Sequence, residues 1–135
     1  METLHLNHWA VFVCALLNLF LGALWYSPLL FYKPWLKETG LKEEALAKIN
    51  PAKLYSFSLV LAWLISYNLA FFLGDEKTDW AWGLTAGFLA GFGWATMIFI
   101  LIAAFEQRSW RYMVINGGYI TVYFSLIGLI LGAWR

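Results

Sequence analysis

Four long stretches of this chain contain no Asp, Glu, Lys or Arg: Leu4–Tyr32, Leu54–Gly74, Trp80–Phe105 and Tyr112–Trp134. Each exceeds the roughly 18 apolar residues that mark a spanning segment, and about 20 residues rising 1.5 Å apiece cover a hydrocarbon core of about 30 Å. The pattern predicts four transmembrane helices near His8–Tyr26, Leu54–Leu73, Trp80–Phe105 and Met113–Trp134, in one integral membrane domain over residues 1–135. A membrane β-barrel needs alternating segments of about 10 residues and at least about 8 of them. These runs are too long, too uniformly apolar and too few, so the expected fold is an all-α four-helix bundle. The first run is expected to be kept as a helix and not cleaved as a signal peptide, because Met1–Asn7 holds Glu2 and no Lys or Arg.

Between the first two runs the chain carries its one sizeable polar segment. Gly40, then Leu41, Ala45, Leu46 and Ile49, with Glu43 and Glu44 early, Lys48 late and Pro51 beyond, predicts two to three turns of amphipathic helix. Ser27-Pro28 ends the first span, and Trp35 and Leu36 beside Lys33 and Lys37 suit the headgroup region.

Small residues recur at four-residue spacing on every span. Lipid gives helices little reward for burying apolar area against each other, so close approach through small residues has to hold them together. The clearest stripe is Gly83, Gly87 and Gly91, continuing to Ala95, a glycine-zipper pattern. The fourth span offers Gly117, Thr121, Ser125, Gly128 and Gly132. Such stripes predict a tight bundle, and Gly93 on the far side of the third span leaves room for a homodimer or a larger membrane assembly.

Composition agrees: 62% of the 135 residues are apolar, 20% aromatic and 13% charged, against about 45–50% apolar and about 25% charged in soluble domains. Mean hydropathy is +0.67. A net charge of +1 supplies no basic face, which excludes nucleic acid as a partner. Position matters more than total. Lys33, Lys37, Lys42, Lys48, Lys53, Arg108 and Arg111 lie in the first and third loops, against Lys77 and Arg135 on the other side. The positive-inside bias puts those two loops in the cytoplasm and both termini outside. The single Cys14 forms no internal disulfide.

Intramembrane polar groups are uncharged: Asn18, Asn68, Thr85, Thr96, Asn116, Thr121 and Ser125. Asp, Glu, Lys, Arg and His at mid-depth normally mark proton relays and ion paths, and their lack argues against an ion-coupled pump. The polar residues read either as glue between helices or as the lining of a small polar path. Trp63 and Trp94 sit near mid-span, where a buried indole N–H is expected to find an acceptor. Two constellations hold candidate chemistry. Glu2, His5 and His8 are spaced by three and form a weak metal-ligand set. At the corner that the positive-inside bias puts in the cytoplasm, Glu106, Arg108, Ser109, Arg111, Asn116 and Tyr119 lie level with Trp25, Tyr26 and Ser27, a set suited either to a salt-bridged turn or to clamping a lipid phosphate or small anion. No nucleophile with a base stands out, so no enzyme and no cofactor are expected.

Leu21-Gly22-Ala23-Leu24-Trp25-Tyr26-Ser27-Pro28, Trp35, Gly40-Leu41, Glu106-Gln107-Arg108-Ser109, Ile115-Asn116-Gly117-Gly118-Tyr119 and Gly128-Leu129-Ile130-Leu131-Gly132-Ala133-Trp134 together resemble the domain of unknown function 1761 family of small bacterial membrane proteins. The resemblance covers nearly the whole chain and implies a four-span protein of the bacterial inner membrane with no assigned activity. The family pattern often carries a His after the Gly-Tyr pair of the last helix, where this chain has Ile120. The expected role is a structural or accessory bundle that self-associates or joins a larger assembly. The alternatives are a small transporter or pore for a neutral or lipophilic solute and, third, a lipid-headgroup protein at the Glu106/Arg108 corner. A reporter fused after Arg135 is predicted to register a non-cytoplasmic compartment; cytoplasmic signal there would overturn the topology.

Overall fold

The computed structural model describes residues 4–135, all helix and connecting turns. Four helices are long and apolar enough to cross a membrane: α1 (His8–Trp25), α4 (Pro51–Phe72), α5 (Trp80–Phe105) and α6 (Trp110–Ala133). Two shorter helices, α2 (Tyr32–Thr39) and α3 (Glu43–Ala47), occupy the first loop.

Helix starts are set by side-chain caps that satisfy otherwise orphaned N–H groups. The Asn7 side chain accepts from Trp9 and Ala10, Asn50 from Ala52 and Lys53, Asp79 from Trp82, and Ser109 from Tyr112. Two of these caps explain why α4 and α6 begin three residues earlier than the apolar runs suggest: Asn50 with Pro51 at the first helical position, and Ser109, start the helix inside polar sequence. In the first loop, Gly40 does not open the amphipathic helix. It closes α2 in the left-handed conformation, φ 74°, and α3 is held to five residues before Lys48 and the Asn50 cap.

Packing runs in two pairs. α1 lies chiefly against α4, α5 against α6, and the pairs join where α1 meets α6. The first pair and the join are filled by small and medium side chains: Ala10, Val11, Cys14 and Ala15 from α1, Ala62, Ser66 and Ala70 from α4, and Tyr123 and Ile127 from α6, all buried. The Tyr123 hydroxyl donates to the Cys14 carbonyl at 2.9 Å and the Ser66 hydroxyl to the Ala62 carbonyl at 2.7 Å, so the hydroxyls in this layer are satisfied.

The second pair dispenses with side chains. A Cβ added to Gly83 would run into the Gly128 carbonyl, one on Gly87 into the Phe124 carbonyl, and one on Gly132 into the Asp79 carbonyl. Backbone therefore touches backbone along the seam, and Gly83 and Gly87 face Gly128 and Gly132 within this chain. The seam does not continue to Ala95. From Leu89 to Thr96, α5 is π-helical, and its wider turn shifts the inward position by one residue. Buried Thr96 succeeds Gly91 and bonds Thr121 at 3.0 Å and the Gly117 carbonyl at 3.2 Å. Rotation of this stretch also turns Trp94 outward, 74% exposed, and Gly93 has no atom within 4 Å of a Cβ position. Trp63 is also on the outer surface, edge-on to Phe12, so neither mid-span indole is buried.

At the terminal end the Arg135 guanidinium donates to the carbonyls of Leu73 (2.6 Å) and Asp75 (2.5 Å), while the His5 N–H bonds the Gly74 carbonyl. The Thr78 side-chain hydroxyl, above all, holds the Asp75 carboxyl below its ordinary pKa. His5 and Arg135 are thus both tied to the α4–α5 turn.

Placing a side chain between two backbones in a close-packed seam costs about 1–3 kcal/mol or more, because neither carbonyl can yield. Gly87→Val is expected to lower the thermal unfolding midpoint of the detergent-solubilised protein clearly, whereas Gly93→Ala leaves it unchanged. Equal midpoints for the two variants would contradict the seam.

Candidate functional site

α6 reaches the loop-rich end with Ile115, Asn116, Gly117, Gly118 and Tyr119 in one turn and a half, and nearly every one of them is engaged. The Ile115 carbonyl accepts from Trp25 Nε1 at 2.9 Å. Asn116 Oδ1 accepts from the Tyr26 hydroxyl at 2.5 Å. Tyr119 donates to the Asn18 carbonyl at 3.1 Å and also meets the Asn18 side-chain oxygen. Gly118 leaves room for the Trp25 ring, which a Cβ would meet at 3.0 Å. Three hydrogen bonds and an aromatic cluster of Trp25, Tyr26 and Tyr119 therefore bind the last turns of α1 to α6. Unpartnered amides and phenols are costly in a poorly hydrated layer, so this mutual satisfaction fixes the corner.

α2 forms the corner's lid. After Trp25 the chain turns through Ser27 and Pro28, with the Phe31 N–H returning to the Trp25 carbonyl, and α2 then lies across the start of α6. Its last turn is strapped down twice: Arg108 Nη1 donates to the Thr39 carbonyl at 3.1 Å, and the Ser109 hydroxyl donates to Glu38 Oε2 at 2.6 Å. Trp35 of α2 packs edge-on to Tyr26, ring centres 5.6 Å apart.

Beneath this strap is a cavity of about 420 Å³ lined by Tyr26, Trp35, Thr39, Arg108, Tyr112 and Asn116 among others. The Tyr26, Trp35 and Tyr119 side chains form a wall between it and a second cavity of about 800 Å³ that extends between α1 and α4 past Asn18, Tyr55 and Ser58. The Arg108 side chain is about one-third exposed; its guanidinium lies 5.2 Å from the Tyr112 ring centre and its Nε 3.7 Å from Glu106. Glu106 is more than half exposed, and a wet pair of that kind is worth about 0–1 kcal/mol. Glu106 therefore leaves Arg108 its charge and several donors for a ligand in the cavity.

The sequence-predicted set divides. Tyr26, Arg108, Asn116 and Tyr119 line the first cavity; Trp25 stands behind them as support. Arg111 does not join: it is exposed and lies over the Trp110 ring at 5.6 Å. Thr39, Phe99 and Tyr112 also line it and were not expected from sequence. Tyr112 follows Arg108 by four positions, but Arg108 lies ahead of α6, so helical spacing alone could not pair them.

The intramembrane polar residues face different surroundings. Asn18 is taken up by Tyr119, Thr96 and Thr121 join α5 to α6, and Ser125 returns to the Thr121 carbonyl at 2.7 Å. Asn68 stands apart on the exposed side of α4. Of the weak metal set, Glu2 lies outside the described residues. His5 and His8 do not share a helical face, because α1 begins at His8 behind the Asn7 cap. His8 Nδ1 is 2.7 Å from the Tyr67 hydroxyl, and His5 Nε2 lies 3.5 Å from Glu76. Among the described residues no three His, Cys, Asp or Glu side chains group as metal ligands.

No curated protein and no solved structure matches the chain. Residues 9–132, nearly its full length, match the family described as "Protein of unknown function (DUF1761)". The chain belongs to that family.

Proposed function

We propose that the protein is a non-enzymatic integral membrane protein, a structural or accessory four-helix bundle, whose corner cavity seats the headgroup of an anionic amphiphile. One observation carries this reading: Arg108, half-buried over Tyr112, turns a guanidinium with spare donors toward a cavity ringed by the hydroxyl, amide and indole groups of Tyr26, Asn116 and Trp35. Guanidinium pairs bidentately with phosphate, and phenols and indoles sit well at headgroup depth. The first loop carries five Lys against Glu38, Glu43 and Glu44 on the same side, a positive excess that favours an anionic leaflet. Under the positive-inside bias that side is cytoplasmic. The polar groups of the corner are an amide, phenols and a guanidinium already held by neighbours, which suits holding a headgroup better than attacking one.

Transport of a neutral solute is less well supported, because Asn18, Asn68 and Asn116 look into separate environments and share no path.

Native mass spectrometry of protein extracted from membranes containing phosphatidylglycerol is expected to show a retained anionic lipid. Arg108→Ala should reduce its occupancy roughly tenfold, the scale of one lost charge-assisted bond. Arg111→Ala, outside the cavity, should leave it unchanged. Undiminished lipid on the Arg108 variant would sink the proposal.

A further inference from the structure

On the opposite side of the bundle, α4 and α5 diverge. Each leans on its own partner, α4 on α1 and α5 on α6, and between them opens a cleft of about 640 Å³ with Phe124 of α6 at its back. Its floor is small, formed by Ala86, Ala90 and Gly93, and the π-helical stretch of α5 supplies much of that wall. Asn68, Trp82 and Trp94 also line it, and none of their side chains has a hydrogen-bond partner among the described residues. Asn18, Ser66, Thr85, Thr96, Asn116, Thr121 and Ser125 each have one. Asn68 and Trp82 are exposed on the cleft wall, so their donors are open to a molecule lying in it.

Depth orders these groups. Asn68 lies about 6 Å along the axis from the end of α4, and Trp82 sits two residues into α5 at the same membrane face. Trp94 is about 18 Å deeper. Donors at the interfacial end and an apolar, glycine-floored trough toward mid-bilayer match a molecule with a carbonyl at the top and a slender hydrocarbon tail. A second copy's helix matches less well, because its backbone carbonyls are engaged in its own hydrogen bonds and offer Asn68 and Trp82 no acceptor.

We propose that the α4–α5 cleft is a binding groove for one acyl chain of an ester-linked lipid, its carbonyl accepting from Asn68 beside the Trp82 ring and its chain following Ala86, Ala90 and Gly93 toward Trp94. This site is separate from the Arg108 corner and does not depend on an anionic headgroup.

The test uses the full-length protein in phosphatidylcholine vesicles doped with a phospholipid whose acyl chain carries a terminal diazirine, with the photo-adducts mapped by mass spectrometry. Adducts should concentrate on Ala86–Trp94 over outward positions at comparable depth outside the cleft, such as Phe20 and Trp63. Gly93→Leu fills the trough at a position with open space around it and should cut those adducts several-fold at an unchanged melting temperature. Replacing the ester by an ether removes the carbonyl and should lower labelling of the unmutated protein about threefold, the effect of one intramembrane hydrogen bond. Asn68→Leu should show little such ester preference. Even labelling of all outward positions, no response to Gly93→Leu, or no ester preference in the unmutated protein would overturn the proposal. So would a dimer cross-linked through Gly93→Cys with the cleft protected from the diazirine, which would make the occupant a second copy.

Discussion

Contact between the backbones of α5 and α6 is the constraint on which the other contacts of this bundle depend. In hydrocarbon, pressing two apolar helices together gains little, since lipid tails are as apolar as leucine. What remains is dispersion and dipole contact at short range, which falls away over a fraction of an ångström. Gly83, Gly87, Gly128 and Gly132 permit that range by having nothing at Cβ. Once the seam fixes α6, its remaining faces decide what else can attach. Tyr123 and Ile127 receive α1, the Ile115–Tyr119 turn receives the end of α1, and α4 follows as α1's partner. The cleft between α4 and α5 is what such pairwise assembly leaves open.

The π-helical stretch reconciles two demands on α5. A stripe with four-residue spacing drifts off a straight seam, and the extra residue between Gly91 and Thr96 resets it so that a hydroxyl reaches Gly117 and Thr121. The same reset presents Gly93 and Trp94 to the outside. Gly117 takes part by giving Thr96 space, since a Cβ there would meet the Thr96 methyl at 2.9 Å.

Much of this was legible in the sequence because lipid enforces simple rules. Charge-free runs located the spans, with ends moved by a few residues where Asn50 and Ser109 cap helices inside polar sequence. Small residues at four-residue spacing marked the close-packing stripes of α5 and α6 but not whether the α5 stripe meets its own chain or a second copy, and periodicity presumes a constant helical pitch, so the passage from Gly91 to Thr96 escaped it. Tyr26, Arg108, Asn116 and Tyr119 were recognisable as interfacial polar groups at one depth. That α2 folds back over them was not, because the Ser27–Phe31 turn and the straps from Arg108 to Thr39 and from Ser109 to Glu38 join residues about 70 positions apart. Trp94 and Trp63 misled for a related reason: mid-span depth says nothing of which way a side chain faces, and both face outward.

The corner inherits its rigidity from this arrangement. Tyr26 and Tyr119 are held by amides of Asn116 and Asn18, so the cavity wall is set before any ligand arrives, and little ordering is left to oppose binding. Arg108 is the group whose charge a neighbour only weakly offsets. The most direct test of the account is the distance from the Arg108 guanidinium nitrogens to lipid phosphorus, measured by solid-state NMR in bilayers containing phosphatidylglycerol and assigned by its loss in Arg108→Lys. Contact-range coupling at Arg108 and none at Arg111 is the predicted result. Coupling absent at Arg108, or equal at the two arginines, would contradict a headgroup seated in the corner.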